Sequence, residues 1–434
     1  MIVFEPVSII SLGCPKNTVD SERILGKLLE NKISVTFNID EAQTIIINTC
    51  AFLQPARDES DEVIKEFIDR KKRGKIRKII VSGCYPSLIG KRLMEKFPEI
   101  DAITGTNDIN YVIDALKSPK REAFLSKRFE TILPSRLTIT LPHYAYLKIA
   151  DGCNHRCAFC LIPSIKGNLH SLKKEYIVNE AEGLAKNGVK EIIVIAQDTT
   201  AYGEDIYGKP MLMPLLKALE KVNGIEWIRI LYTYPNEVTR DLAYYIAKSK
   251  KVVPYIDMPI QHINNKILRS MNRLGERKDI ERIIEILKKL HIAIRTTVIT
   301  GFPGEGEKEF EELKEFVKNT KFDHLGVFPY FREKGTVSYS MGNQIDNETK
   351  MRRKEMIESI QEEISLERNK QFIGKHLPVI IDYYDENKNT FVGRTIYDAP
   401  EIDNIVYVKG NVRAGNIYVI KIEEAKKHIL KGRL

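Results

Sequence analysis

Three cysteines lie close together in the segment D-G-C-N-H-R-C-A-F-C-L-I-P-S-I-K-G at residues 151–167, namely Cys153, Cys157 and Cys160. Gaps of three and two residues allow one short loop to bring all three sulfurs to a single small object. Cysteine thiolates in runs of this kind hold iron-sulfur clusters. Because a cubane [4Fe-4S] cluster has four irons, this loop would leave one iron without a protein ligand and open to a small molecule.

A structural zinc site is the alternative for this loop. Such sites prefer four protein ligands from paired short spacings, and the chain has no second C-x-x-C. His155 could complete a zinc site, but it stands between two of the thiols, where we expect its ring to point outward. Disulfides are not expected, because a large chain without an export signal belongs in a reducing compartment.

The loop resembles the signature of the radical S-adenosylmethionine enzymes, which is C-x-x-x-C-x-x-C with an aromatic residue, here Phe159, before the last cysteine. The resemblance implies that the open iron binds the amino and carboxylate groups of S-adenosylmethionine. It also implies that an electron from the cluster splits this molecule into methionine and a 5'-deoxyadenosyl radical, which removes hydrogen from an unactivated carbon. The protein would then supply orientation and a dry site for chemistry that belongs to the cofactor.

Composition sets broad limits on the class of protein. The chain has 434 residues, 43% of them hydrophobic, which gives room for roughly two to four domains. The net charge of +9 permits an RNA or ribosome-associated partner, although a mild basic excess is also typical of a solvated surface. No apolar run reaches the roughly 18 residues of a membrane span. The first ten residues favour a buried strand over a signal peptide, so we expect a cytoplasmic protein.

Three further cysteines, Cys14, Cys50 and Cys84, each follow a short apolar run rich in β-branched residues, at 7–13, 44–49 and 78–83. These runs alternate with helical stretches, which predicts a parallel sheet. The helical stretches are at 19–29, 56–72, 86–97 and 107–117, and a further strand is predicted at 102–105. Because the carboxyl ends of parallel strands meet at one edge, the three thiols should converge there. Each cysteine alone could be a small buried hydrophobe, but together they predict a second cluster, again with one open iron. Asn17, Asn48 and Ser82 could bind its sulfurs or simply form turns.

With its two sets of three cysteines, the chain resembles the methylthiotransferases. The first domain of that family matches the segments S-L-G-C-P-K-N (11–17), N-T-C-A-F (48–52) and V-S-G-C (81–84). The resemblance implies that the amino-terminal cluster carries or delivers sulfur. One S-adenosylmethionine would donate the methyl group and a second would make the radical.

The rest of the chain divides into a linker and two further domains. Residues 118–142 contain three prolines and no sustained period, whereas strands and helices alternate six times beyond them. We predict an α/β protein with an amino-terminal parallel sheet domain, a central partial (βα)6 barrel of the radical S-adenosylmethionine type and a small all-β barrel. The assigned bounds are 1–120 for the first domain, 121–142 for the linker, 143–370 for the central domain and 371–434 for the last.

Candidate pocket residues stand at or near the predicted carboxyl ends of the central strands. Besides Phe159 they are Gln197, Asp198, Tyr232, Gln261, His262, Arg295 and Thr297. Each has a structural alternative: His262 could be a satisfied structural histidine, and Gln197 or Asp198 could cap a loop. Arg295 is the stronger candidate, because a cation inside a barrel needs a carboxylate to bind. The turn G-F-P-G-E (301–305) resembles one that lines the adenosine site in this superfamily.

The last segment resembles the TRAM domain, a substrate-binding module often associated with RNA. Between residues 382 and 403 six acidic residues face two basic ones, which favours a basic protein over a phosphate backbone. Beyond residue 408 basic residues predominate, so RNA contact stays open.

Four motifs resemble those of one branch of the methylthiotransferases. They are G-C-P-K-N, F-C-L-I-P-S-I-K-G (159–167), A-Q-D-T-T-A-Y-G (196–203) and D-A-P-E-I-D (398–403). That branch adds a methylthio group to the β-carbon of an aspartate in the small-subunit ribosomal protein numbered twelve. The implied cofactors are two [4Fe-4S] clusters and S-adenosylmethionine, and the implied partners are that ribosomal protein, a flavodoxin-like or ferredoxin-like electron donor and a sulfur donor. The alternatives are a tRNA adenosine methylthiotransferase, whose motifs usually read G-C-Q-M-N and G-Q-N-V-N, and a non-enzymatic iron-sulfur sensor.

Overall fold

The computed structural model describes residues 6–126 and 134–434. Within residues 6–126, five parallel strands form one sheet in chain order: β1 (Val7–Ser11), β2 (Thr44–Thr49), β3 (Lys78–Gly83), β4 (Ala102–Gly105) and β5 (Glu122–Phe124). The connecting helices are α1 (Pro15–Glu30), α2 (Gln54–Lys72), α3 (Cys84–Ile89), α4 (Arg92–Lys96) and α5 (Val112–Lys117), with 3-10 turns at Ile39–Glu41 and Ile109–Tyr111. Isoleucine and valine fill the strand centres and are buried on both faces, as parallel sheets require.

The predicted strands at 44–49, 78–83 and 102–105 are confirmed. The helix predicted at 86–97 is interrupted instead, because Gly90 ends α3 with a φ of +62°. The prediction of an irregular connection through residues 118–142 is wrong for Glu122–Phe124, which forms β5 beside β4. A three-residue strand is too short to show an alternating pattern. Residues 127–133 of the predicted linker lie outside the described residues.

The central sheet has six parallel strands among the residues that the structure describes, in the order β13-β12-β11-β10-β9-β6. They are β6 (Tyr144–Lys148), β9 (Glu191–Ile195), β10 (Trp227–Ile230), β11 (Val252–Asp257), β12 (Ala293–Thr300) and β13 (His324–Pro329), while β7 (Ala150–Asp151) and β8 (His170–Ser171) pair separately. The predicted partial barrel is therefore confirmed.

The helices of this region lie between its strands. They are α6 (Ile162–Ile165), α7 (Lys174–Lys186), α8 (Glu204–Tyr207), α9 (Leu212–Leu219), α10 (Arg240–Lys248), α11 (Asn265–Ser270), α12 (Arg277–Lys289) and α13 (Glu307–Thr320), with 3-10 turns at Pro235–Glu237 and Val337–Ser340. Alternate strand residues such as Ala145 and Leu147 pack against these helices, whereas Tyr144 and Tyr146 face the interior of the partial barrel. No helix among the described residues is long and apolar enough to cross a membrane.

The carboxyl-terminal region begins with the long helix α14 (Asn347–Lys370) and ends in a closed barrel. Its strands are β14 (His376–Asp385), β15 (Thr390–Thr395), β16 (Ile405–Lys409), β17 (Ile417–Ala425) and β18 (Ile429–Arg433). The all-β barrel is confirmed, but the alternating pattern beyond residue 372 predicts four short strands, and β18 is not one of them. It closes the barrel by pairing parallel with β16 and antiparallel with β17.

This small barrel fills the interior of the central sheet at the amino ends of its strands. Ile380 and Ala399 pack among the interior aromatic residues, and the side chains of Tyr144 and Tyr146 donate hydrogen bonds to Glu401 at 3.0 and 3.4 Å. Arg394 pairs with Glu191 at 2.8 Å. The carboxyl ends of the strands, where the cysteines stand, are thus left as the site for chemistry.

Contacts within the chain account for two of the six acidic residues that the sequence analysis assigned to docking of a basic protein. Asp382 binds Arg394 at 2.9 Å and His143 at 2.8 Å, while Asp403 binds Arg295 at 2.7 Å. These carboxylates neutralise cations of this chain, so their charge is not available to a partner.

Candidate functional site

The first three cysteines stand at the carboxyl ends of adjacent strands. Cys14 precedes α1, Cys50 follows β2 and Cys84 begins α3 directly after β3. The strand register places Ser11 opposite Asn48 and Thr49 opposite Gly83, so the loops that carry the thiols start side by side. All three are free thiols, and Cys50 and Cys84 are buried. The predicted convergence of the strand ends is therefore present.

Asn17 ties these three loops together. Its side-chain amide donates to the backbone oxygens of Leu12 at 3.0 Å and Thr49 at 2.9 Å, and its Oδ1 lies 3.6 Å from Sγ of Cys84. Asn48 in turn donates to the backbone oxygen of Asn17 at 2.9 Å. Of the two roles open to these asparagines, the structure favours fixing the loops.

Two glycines permit this close approach. Gly83 has a φ of +95°, and a Cβ at this position would clash with Oδ1 of Asn48. Gly13 has a φ of +92°, and its Cβ would lie 2.7 Å from Cβ of Cys50. Both positions need glycine for its positive φ and for its missing side chain.

The second set of thiols lies in the loop after β7. Backbone hydrogen bonds join Cys153 to Gly167 at 3.2 Å and Cys160 to Cys157 at 3.0 Å, which curl the loop on itself. Nη1 of Arg273 lies 3.9 Å from Sγ of Cys157, so a cation stands beside this set. Nothing in the sequence pattern pointed to Arg273, since it follows a helix rather than a strand.

His155 bears on the zinc alternative. Its Nε2 lies 2.7 Å from Oδ2 of Asp198 and 3.5 Å from Oε1 of Glu237, and its ring stacks on Tyr234 with centroids 3.9 Å apart. His155, Asp198 and Glu237 are close enough together to hold a metal ion, but without a thiol. Nε2 of His155 therefore faces carboxylates rather than the three thiols, which does not favour a zinc site built from these cysteines.

The two sets of thiols approach each other through helices. The first helix after Cys160, α6, packs against α3, and Cys84 shares an apolar cluster with Leu161 and Ile165. Lys166, which follows α6, also interacts electrostatically with Cys84. Two loops that are about 70 residues apart in the chain therefore meet at one place.

A buried network of charges joins the two regions. Lys148 binds Asp20 of α1 and, at 3.1 Å, Asp151, while Lys166 binds the same two carboxylates at 3.2 and 3.1 Å. Burial would raise the pKa of Asp151, but Lys148 and Lys166 outweigh burial and hold it well below its ordinary value. Asp151 therefore stays ionised directly before the cysteine loop.

Burial also changes the acidity of the thiols. It raises the pKa of Cys153 and of Cys160 to about 12, and it raises the pKa of Cys50 and Cys84 as well. Without a metal these groups are protonated at neutral pH. A metal that binds here must displace their protons, so its affinity falls as the pH falls.

Two predicted pocket residues carry unused acceptors. Gln197 donates to Oδ1 of Asp151 at 2.7 Å, and Gln261, with a φ of +68°, is held beside β12 by backbone bonds to Thr297 and Ile299. The side-chain oxygens of both glutamines are buried without a hydrogen-bond partner in the described part of the chain. Such orphaned acceptors are expected where a ligand with donor groups binds.

Phe159 and Thr297 have local partners. The ring of Phe159 meets the edge of Phe302 with centroids 6.4 Å apart, which joins the cysteine loop to the G-F-P-G-E turn. Thr297 lies inside β12 rather than at its end, and its carbonyl accepts from the backbone of Gln261.

Two further predicted cofactor contacts, His262 and Arg295, lie close to protein groups. Nδ1 of His262 accepts from the backbone of Asn264 at 2.9 Å, and its Nε2 lies 3.5 Å from Glu305 of the G-F-P-G-E turn. Arg295 lies within β12, and its carboxylate partner is Asp403 of the small barrel. The carboxylate that a cation in the barrel interior requires is thus supplied from within the chain.

Lys16 and Tyr232 form a contact that the sequence analysis did not identify. Nζ of Lys16, in the first turn of α1, lies 3.3 Å from the centroid of the Tyr232 ring. Tyr232 follows β10 with a φ of +62°. Lysine within G-C-P-K-N was the available signal, but only the fold brings it to the central sheet.

Three family models match successive parts of the chain. They are the uncharacterised protein family UPF0004 over residues 6–105, the radical SAM superfamily over 147–317 and the TRAM domain over 373–434.

Among solved structures, the radical S-adenosylmethionine methyltransferase TsrM from Kitasatospora setae, with cobalamin and a [4Fe-4S] cluster bound, has a similar fold. It gives a TM-score of 0.55 at 14% identity and covers 77% of both chains.

Similarity to named relatives extends over nearly the whole chain. Proteins named "Ribosomal protein uS12 methylthiotransferase RimO" are 44% identical in Elusimicrobium minutum, with 98% of both chains covered, and 43% identical in Thermoanaerobacter sp., with 98% of this chain and 99% of the relative covered. The relative of the same name from Aquifex aeolicus is also 43% identical, over 98% of this chain and 96% of its own. The chain therefore belongs to the RimO family of ribosomal protein uS12 methylthiotransferases.

Proposed function

We propose that this protein is a radical S-adenosylmethionine enzyme that adds a methylthio group to the β-carbon of an aspartate in ribosomal protein uS12. One structural observation carries the proposal: three free thiols at the carboxyl ends of parallel strands and three more in the loop after β7 lie in segments that meet where α3 packs on α6. Family membership at 44% identity supplies the reaction and the substrate.

The residues present fit two clusters. Cys14, Cys50 and Cys84 would hold one, and Cys153, Cys157 and Cys160 the other. The chain has six cysteines, so neither set can draw on a fourth thiol, and each cluster would keep an iron open. When bound, the clusters and S-adenosylmethionine supply a radical that removes hydrogen from an unactivated carbon, and the sulfur that takes its place.

The chain's own residues prepare this chemistry. Arg273 beside Cys157 would offset part of the negative charge that thiolate ligands bring into a buried site, and Lys166 lowers the pKa of Cys84 against the effect of burial. The orphaned oxygens of Gln197 and Gln261 would accept hydrogen bonds from the amino or hydroxyl groups of S-adenosylmethionine.

The position of the small barrel indicates the side from which the substrate reaches the thiols. The small barrel fills the interior at the amino ends of the central strands, so we infer that the target side chain enters at the carboxyl ends. Cys14 and Tyr232 are partly exposed there.

The proposed reaction also indicates the cellular compartment and the partner proteins. Six free thiols need a reducing compartment, so we assign the protein to the cytoplasm. Turnover would also require a low-potential electron donor, such as a flavodoxin or ferredoxin, and a sulfur donor.

The test is mass spectrometry of products from anaerobically reconstituted, reduced protein incubated with S-adenosylmethionine and purified uS12. We expect 5'-deoxyadenosine together with a methylthio group on one aspartate of uS12. Absence of 5'-deoxyadenosine would support the non-enzymatic sensor. Unmodified uS12, with methylthiolated tRNA in a parallel incubation that contains tRNA in place of uS12, would support the alternative enzyme.

That alternative, a tRNA adenosine methylthiotransferase, is favoured by the net charge of +9 and by Tyr383 and Tyr384 on β14, which are 46% and 44% exposed. Exposed aromatic rings on a small barrel can stack on bases. A deletion strain separates the two enzymes, because only one of the two products, modified uS12 or methylthio-adenosine, will be lost.

A further inference from the structure

Lys16 is a buried cation at the boundary between the two domains that carry the thiols. Its residue is 8% exposed, two positions after Cys14, and its ammonium lies over the ring of Tyr232 at the carboxyl end of β10. The contact therefore joins the edge of the first sheet to the edge of the central sheet, where the two sets of thiols meet.

The ammonium lacks a carboxylate partner. The neighbouring buried lysines, Lys148 and Lys166, share Asp20 and Asp151, whereas Lys16 makes no ion pair among residues 6–126 and 134–434. A ring face stabilises a cation only in part, and a buried unpaired charge is costly. Cys14 and Pro15, which precede Lys16 in the chain, are partly exposed, so solvent reaches the loop at the start of α1.

We propose that Lys16 binds the side-chain carboxylate of the substrate aspartate and so selects aspartate at this site. This inference rests on the proposed function and names one contact of its substrate. The carboxylate is bonded directly to the β-carbon that reacts, so an ammonium next to Cys14 would hold that carbon beside the first set of thiols. A charged hydrogen bond in a buried site is among the stronger polar contacts, which suits a residue that determines specificity.

The experiment compares two peptides on the holoenzyme with both clusters. One peptide carries the target aspartate of uS12 in its natural surroundings, and the other carries asparagine instead. Wild-type protein should bind the aspartate peptide at least about tenfold more tightly, as expected for one charged contact. Lys16→Met should remove this preference by weakening the aspartate peptide alone, and Lys16→Arg should keep most of it.

Lys27→Met is the matched control, because it removes a lysine from the last turn of the same helix. It should leave both affinities unchanged. Iron content should be the same in Lys16→Met and wild type, and Lys27→Met should also keep the S-adenosylmethionine cleavage that wild type shows without peptide.

Three results overturn the inference. Lys16→Met could keep the preference for aspartate, or the Lys27→Met control could lose it equally, or Lys16→Met could lose iron, which would assign the lysine to the first cluster. Failure of the proposed function differs from all three, since wild-type holoenzyme would then neither bind nor modify the aspartate peptide.

Discussion

At the scale of single residues, the position of Cys84 depends on the glycine before it. The φ of +95° at Gly83 and the side chain of Asn48 leave no room for a Cβ. Asn48 also binds Asn17, which holds the loop of Cys14. One glycine thus supports the geometry of two cysteine loops.

We therefore expect Gly83→Ala to lower both stability and the iron bound by the first set of thiols. The positive φ should cost about 1 kcal/mol, and the clash should add about 1–3 kcal/mol. Thermal unfolding and iron content measure the two effects. Gly74→Ala is the control, because Gly74 has a φ of +72° and open space around it. Equal losses in both variants would contradict the role of the clash.

Replacement of Cys14, Cys50 and Cys84 by alanine should remove one cluster and leave the other. Iron in anaerobically reconstituted protein should fall from about eight to about four atoms per chain. S-adenosylmethionine cleavage should persist, because the second set of thiols is intact. Loss of all iron, or no loss, would refute two independent clusters.

At the scale of elements, α1 is bound to the central domain by charges as well as by apolar packing. Asp20 of α1 binds Lys148, which ends β6, and Lys166, which follows α6. Removal of one carboxylate leaves two buried lysines with Asp151 alone. Breaking a buried network of this kind is far more costly than breaking an exposed ion pair.

Asp20→Asn should accordingly reduce the free energy of unfolding by roughly 3–5 kcal/mol. Asp40→Asn, which removes an exposed partner of Arg70, should cost no more than about 1 kcal/mol. Chemical denaturation of both variants beside the wild type makes the comparison. A similar small loss in both would mean that the buried network adds no stability to the contact between the domains.

Strand elements were predictable where the pattern was long enough. The runs at 44–49 and 78–83 are rich in isoleucine and valine between polar ends, and they form β2 and β3 without a shift. Glu122–Phe124 and Ile429–Arg433 were missed, because they are strands mainly through pairing with distant partners.

The cysteines of the candidate site could be placed because strand ends converge in any parallel sheet. The partners of His262 and Arg295 could not, since Glu305 and Asp403 lie far along the chain.

At the scale of the whole molecule, the described regions are joined by buried ion pairs. Arg136 of the segment before the central domain binds Glu22 of α1 and Glu180 of α7, and Arg394 of the small barrel binds Glu191 of the central sheet. Asp382, which pairs with Arg394 inside the barrel, also reaches His143. Burial would raise the pKa of Asp382, but Arg394 and His143 hold it below its ordinary value.

Acid should therefore weaken the pair of Asp382 with Arg394 inside the small barrel and the contact of Asp382 with His143 of the central domain. A carboxylate with a lowered pKa stabilises the folded state above the ordinary carboxyl pKa, and this stability is lost as the pH falls through the folded value. In chain freed of iron, the unfolding temperature should fall between about pH 4 and pH 2, and the fall should be smaller in Asp382→Asn. An identical fall in both proteins would remove Asp382 from the explanation.

The carboxyl-terminal barrel, which occupies the interior of the central sheet, also limits how such enzymes can be recombined. Arg295 and Tyr255 reach Asp403 at 2.7 Å each, so the complementary groups are divided between two modules of one chain. A chimera that takes its last module from a distant relative would inherit only half of each pair. Exchange of this module should succeed only when the facing residues of the central sheet travel with it.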